Sequence, residues 1–277
     1  MQALPFAVSL AAAALTAPAL LRRLEEGGHT RLNYRGASLP CPFGVLIAAA
    51  AAIALIALSL WGRYVDAADV PIVGLPLVAG VAFLGLLDDA IAGASRGWRG
   101  HGAATLRGDL STGALKAAGT LGLALFFALG LSAAEGRPDE DFLLIALVVT
   151  LATNLFNLLD LRPGRAVKAF VLLGIGLVVG EGGLDAAEAL GIWIGPILVA
   201  GAFDLRERAM LGDSGSNVIG AVAGAWLALT LDTTGLAVAA AVLALITAYG
   251  EFRSINALVE RTPGLRHLDS FGRVHRA

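Results

Sequence analysis

Nine apolar runs, most of them near 20 residues, fix the class of fold before any motif is read. They cover about 3–21, 42–62, 70–90, 113–133, 142–161, 167–180, 187–204, 215–231 and 235–252. An apolar run of this length buries itself most simply across a bilayer, as a helix that satisfies its own backbone. The composition agrees. Hydrophobic residues make up 57% of the chain, charged ones only 15%, and the mean hydropathy is +0.77. An ordinary soluble chain is about 25% charged. The expectation is an all-α, polytopic helical bundle, one domain over 1–277, with nine transmembrane helices. The one cysteine, Cys41, excludes an intrachain disulfide and a cysteine-rich metal site. The basic residues are scattered through short loops, so nucleic acid is not an expected partner.

Lysine and arginine set the orientation, because they stay on the cytoplasmic side. With the N-terminus outside, 18 of the 20 fall in cytoplasmic segments. These are Arg22, Arg23, Arg31 and Arg35; Arg96, Arg99, Arg107 and Lys116; Arg162, Arg165 and Lys168; Arg206 and Arg208; and Arg253, Arg261, Arg266, Arg273 and Arg276. Only Arg63 and Arg137 fall outside, and the outer loops "EGRPDED" and "EGGLDAAE" are acidic. One span more or fewer would scramble that asymmetry, so the C-terminus is expected in the cytoplasm. The "APA" at 17–19 resembles a signal cleavage site, but the basic residues follow the apolar run rather than precede it. A retained first helix is therefore expected. "GAVAG" at 220–224 reads as close helix packing.

On this topology the unusual polar residues collect on one side. Asp88 and Asp89 end the third run, Lys116 begins the fourth, Asn154, Asn157 and Asp160 end the fifth, and Asp213 begins the eighth. The four histidines, His29, His101, His267 and His275, lie on the same side. In "NLFNLLD" the polar residues are three apart, so they share one broad helix face and need partners. Interhelical hydrogen bonding alone would explain them. The further carboxylates at the same depth favour a site. "GDSGS" at 212–216 resembles a serine-protease stretch, but no histidine base oriented by a buried acid accompanies it. It reads better as a glycine-rich loop whose free amides favour an anion, with Asp213 within reach of a metal. Ser214 as a plain helix cap is the simpler alternative. Oxygen-rich ligation without cysteine suits Mg²⁺ shared with phosphates, with Mn²⁺ as a substitute.

"GLLDDAIAG", "NLFNLLD" and "MLGDSGS" resemble, in order and spacing, the signature motifs of the polyprenyl-phosphate N-acetylhexosamine-1-phosphate transferases. "NYRGASLPCPFG" at 33–44 is similar to that family's first cytoplasmic loop. The match covers about residues 20–220. The resemblance implies Mg²⁺-dependent transfer of a sugar-1-phosphate from a nucleotide sugar, most commonly UDP-linked, to a polyprenyl (undecaprenyl) phosphate. It places the protein in the cell inner membrane among membrane lipids, and it leaves a homodimer open. It implies Asp213 and Asn157 as metal ligands, and Asp88, Asp89, Asp160 and Lys116 as catalytic. Asn154, Arg162, Arg165, Ser214, Arg266 and His267 are the implied substrate contacts.

Three features depart from the family pattern. "DLRPGRA" places Pro163 where an acid normally contacts the base, which questions uracil recognition. The last loop, "RTPGLRHLDSFGR", carries one histidine, His267, instead of a cluster. The count stops at nine spans where ten are usual. Two further classes stay open. One is a divergent relative that binds a lipid-linked sugar or regulates envelope assembly. The other is a transporter, which would hold its polar groups nearer the bilayer midplane.

Overall fold

The computed structural model describes residues 3–65, 74–91 and 112–274. Arg96, Arg99, His101, Arg107, His275 and Arg276 lie outside the described residues, as do the first residues of the third predicted run. The architecture is an all-α bundle. Its long helices are α1 (Leu4–Glu26), α2 (Val45–Val65), α3 (Leu75–Ile91), α4 (Thr112–Glu135), α5 (Asp139–Leu159) and α6 (Arg165–Glu181). The short α7 (Asp185–Ala189) precedes α8 (Gly191–Leu205), α9 (Asp213–Thr230) and α10 (Thr233–Phe252). Two small helices close the described chain, α11 (Ile255–Arg261) and α12 (Pro263–Ser270).

Five of these helices, α1, α2, α4, α5 and α10, are long and apolar enough to cross a membrane. The others fall short for visible reasons. α3 and α6 have 17 residues and α8 has 15. α9 has 18 but opens on Asp-Ser-Gly-Ser-Asn. The bundle also carries large apolar side chains outward, among them Leu15, Leu129, Leu143, Val179 and Leu245. That surface suits lipid better than water.

The boundaries follow local chemistry. α5 opens after Pro138 with Asp139, Glu140 and Asp141 in its first turn, where acids complement the helix dipole. It stops at Asp160 because Pro163 and the left-handed Gly164 cannot continue it. The seventh predicted run, 187–204, divides at Leu190 into α7 and α8. Asp185 and Glu188 make the first piece polar, and the apolar stretch begins only after it. Residues 30–40, read from sequence as a loop, form an antiparallel hairpin of β1 (Thr30–Leu32) and β2 (Ser38–Pro40). The tail read as a short basic extension contains α11 and α12.

α9 is the centre. Every residue from Ser214 to Ala228 is buried, and the helix packs chiefly on α5 and α3. α1 lies against α8 and α2, α4 against α3 and α5, and α10 against α5. The "GAVAG" packing expectation holds. A Cβ on Gly220 would lie 2.6 Å from the Thr153 Cα, and one on Gly224 would lie 2.7 Å from the Val149 Cα. At the acid end the loop before α9 is stitched to the hairpin. Met210 N donates to Pro40 O at 2.8 Å, and Phe43 N and Gly44 N donate to Met210 O and Leu211 O, both at 2.8 Å.

Candidate functional site at the acid end of the bundle

The end of α3, the start of α4 and the start of α9 meet at one point. Lys116, in the first turns of α4, donates from Nζ to Asp88 Oδ2 at 3.2 Å and to Asp213 Oδ2. One ammonium thus sits between two half-buried carboxylates from different helices.

Close approach is possible because α3 carries Gly85 here. A Cβ at that position would lie 2.5 Å from the Asp213 carbonyl oxygen. Gly212 is required twice over. Its φ is 70°, and a Cβ there would lie 2.8 Å from Asp89 Oδ2.

The second member of the acid pair is placed differently. The Asp89 side chain is only 2% exposed. Its carboxylate accepts the Asp213 amide at 3.1 Å and the Ser214 amide at 2.9 Å. The anion expected at the α9 N-terminus is therefore supplied by the chain itself. Arg31, from β1, completes the clamp, reaching Asp89 Oδ1 at 3.1 Å and the Asp89 carbonyl at 2.9 Å. Ser214 does not cap the helix through its hydroxyl, which is buried and unpartnered among the described residues.

Asn157 joins the same end through α9. Its Oδ1 accepts from Ser216 Oγ at 3.0 Å. Asp160, just past the end of α5, feels the charges of Asp204, Asp213 and Asp89. Asn154 is half-buried on α5, and its Nδ2 is unpartnered among the described residues.

The cations of the 160–168 loop have partners inside the chain. Arg165 donates to Asp269 through Nε at 2.8 Å and Nη2 at 3.1 Å, and to Asn256 Oδ1 at 2.7 Å. Lys168 donates to the carbonyls of Leu268 and Phe271, at 3.0 and 3.2 Å, and to that of Asp269, where α12 ends. Arg273 pairs with Asp269 at 2.6 Å and donates to Pro163 O at 2.9 Å. Burial raises the Asp269 carboxyl, but Arg165 and Arg273 outweigh it and leave it below its ordinary value. Arg162 stands apart. Its guanidinium lies 4.2 Å over the Tyr34 ring centroid, and it meets Glu260 at 3.3 Å. Arg266 and His267 lie exposed on α12.

Sequence reading missed several of these residues. Asp204 is buried, and its Oδ2 accepts the Gly164 amide at 2.7 Å, tying α8 to the 160–164 turn. It bore the signal that marked Asp88, an acid closing an apolar run. Arg31 and Asp269 bore none, since each looks like an ordinary loop charge.

No group of three or more His, Cys, Asp or Glu among the described residues is arranged to hold a metal ion. A magnesium ion needs less, because one or two carboxylates with substrate phosphates commonly suffice. Asp213, at the start of α9, and Asn157, on α5 beside Ser216, carry hard oxygen atoms, and Lys116 already occupies a cation's place beside Asp213. Hard oxygen donors of this kind are the ones Mg²⁺ takes. The chain matches no protein-family model and no curated protein.

Proposed function

We propose that the chain is an inner-membrane protein of nine spans, with its N-terminus outside and its acid end and C-terminus in the cytoplasm. There it transfers a sugar-1-phosphate from a nucleotide sugar to a polyprenyl phosphate, as the motif resemblance implies. The observation that carries this reading is Lys116 held between Asp88 and Asp213 at the junction of α3, α4 and α9. An ammonium between carboxylates suits a site that must hold phosphate and a divalent cation by turns.

An acceptor phosphate oxygen attacks the sugar-linked phosphorus. A new P–O bond forms, the bond to the nucleoside monophosphate breaks, and that product leaves with the electron pair. Lys116 donates to phosphate oxygens and offsets their mutual repulsion. Asp88, beside Lys116, takes any proton left on the acceptor phosphate. Asp89 acts one step back by fixing the α9 N-terminus, and so the direction of Asp213. Asp213 and Asn157 would hold Mg²⁺, which supplies charge neutralisation on the phosphates. Positioning and electrostatics carry the rest.

One observation favours the catalytically divergent alternative. Arg165 and Lys168 are committed to Asp269 and the end of α12, which leaves Arg162 as the cation of that loop open to a donor. A direct test is to incubate the purified protein with undecaprenyl phosphate, Mg²⁺ and a panel of nucleotide sugars. Release of nucleoside monophosphate together with a lipid diphosphate sugar is expected. No release with any donor would leave the divergent reading in place.

A further inference from the structure

We infer that α12 is an interfacial helix that lies on the bilayer surface at the acid end of the bundle and binds anionic phospholipid headgroups, with Leu265, Leu268 and Phe271 set among them. The inference goes beyond the transfer reaction and needs only that α10 crosses the bilayer.

What holds α12 is polar, and what it turns outward is apolar. Asp269 accepts from Arg165 at 2.8 Å and from Arg273 at 2.6 Å, and Lys168 donates to the carbonyls that close the helix. Leu265, Leu268 and Phe271 are spaced by three, so they share one side, and each is exposed. No residue of the helix is buried. A surface helix in water shows the reverse, with its apolar stripe on the protein and its charges outside.

The level of α12 is set by what the tail touches. Arg165 and Lys168 belong to the first turn of α6. Past α12, a Cβ on Gly272 would lie 3.3 Å from Leu205 Cδ2, on the last residue of α8. Before it, α11 packs back on α10. A Cβ on Gly250 would lie 2.9 Å from Ile255 Cδ1 and 3.3 Å from Leu158 Cδ1, beside the last residue of α5. The tail thus runs along the ends of α5, α6, α8 and α10, the depth at which α5 and α10 leave the apolar layer.

Two observations make lipid the occupant. The first is continuity. α10 carries an exposed stripe, Val238, Val242, Leu245, Tyr249 and Phe252, spaced by four and three. On a helix long and apolar enough to cross a membrane, that stripe meets acyl chains. It ends at Phe252, and the exposed Leu258 of α11 and the apolar side of α12 carry the apolar surface past the end of the span. The second is charge. Glu260 pairs with Arg162, and Asp269 with Arg165 and Arg273. Arg253 and Arg261 are exposed, and their guanidinium groups have no partner among the described side chains. Cations beside an apolar stripe at the depth of the helix ends match anionic headgroups. A second copy of the chain would bring the same cations against each other.

The test uses the full-length protein with Cys41→Ala, spin-labelled at Leu268→Cys or, separately, at Phe271→Cys. It is reconstituted in nanodiscs of phosphatidylcholine, or of phosphatidylcholine mixed with phosphatidylglycerol. Collision of the label with oxygen is compared with collision with an aqueous nickel chelate. In the anionic discs both labels are expected to meet oxygen and to be shielded from nickel. Shielding should weaken in phosphatidylcholine alone, and in Arg253→Gln and Arg261→Gln, by about fivefold in the bound-to-free ratio for each arginine. Labels open to nickel in both lipids overturn the inference. So does shielding that is equal in both lipids and untouched by the arginine variants. Spin–spin broadening in discs that hold two copies marks a face used between copies, and overturns it too. None of these readouts involves a nucleotide sugar, so the transfer reaction stands or falls separately.

Discussion

The carboxylate of Asp89 accepts the backbone amide of Ser214 at 2.9 Å, so the last turn of α3 caps the first turn of α9 across the bundle. Its neighbour Asp88 faces Lys116 instead. Two adjacent acids thus have separate duties, and substitution should separate them. Asp89→Asn keeps one acceptor oxygen but weakens an amide contact and the Arg31 ion pair. It is expected to cost about 1–3 kcal/mol of stability, as for a buried hydrogen-bonded charge. Asp88→Asn should leave the melting temperature in detergent within a degree or two of wild type, by about the effect of a small stability change, and abolish turnover. Melting curves beside single-turnover assays check both. Equal melting losses in the two variants would remove the division of roles.

The same residues explain how much of the molecule was legible in the sequence. Asp88, Asn157 and Asp213 stood out because polar groups ending apolar runs are rare and costly. The structure brings Asp88 and Asp213 together on Lys116. Arg31 was not legible as a site residue, because a positive-inside bias alone accounts for an arginine in that loop. Nor was its hairpin, whose strands are three residues each and carry no clear alternation. α11 and α12 were missed for a similar reason. At seven and eight residues they show too few turns for a helical period, and their place depends on Arg165, Lys168 and Asp269, far apart in sequence.

The orientation is testable without substrates. A reporter fused after Ala277 should read as cytoplasmic, and one inserted near Glu135 as external. The structure separates the two ends. Arg137 donates to Leu231 O at 3.1 Å, linking the α4–α5 and α9–α10 turns away from the acid cluster. An external C-terminus would mean that one of α3, α6, α8 or α9 does not cross. If α3 is the one, the 160–168 loop and the acid cluster fall on the wrong side for a nucleotide donor.

The last prediction divides the two arginines of the 160–168 loop. Arg165 is buried and forks onto Asp269, which also holds Arg273, so its first duty is to dock α12. Arg162 is about one-fifth exposed, lies over Tyr34 and pairs only with the well-exposed Glu260 among the described residues. Arg162→Ala should raise the KM of the nucleotide-sugar donor, at a cost of about 1–3 kcal/mol for a charged hydrogen bond, and leave the melting temperature unchanged. Arg165→Ala should instead lower stability and expose the segment after Arg253 to protease, because it strands Asp269 beside fewer cations. Asp269→Ala should give the same cleavage at neutral pH. The folded value of Asp269 is depressed, so its contribution is present above the ordinary carboxylate pKa and lost as pH falls through the depressed one. Protease sensitivity of wild type should therefore approach that of Asp269→Ala only in strong acid. A donor KM raised by Arg165→Ala with the tail still protected would assign Arg165 to the substrate and leave the docking of α12 to Lys168 and Arg273.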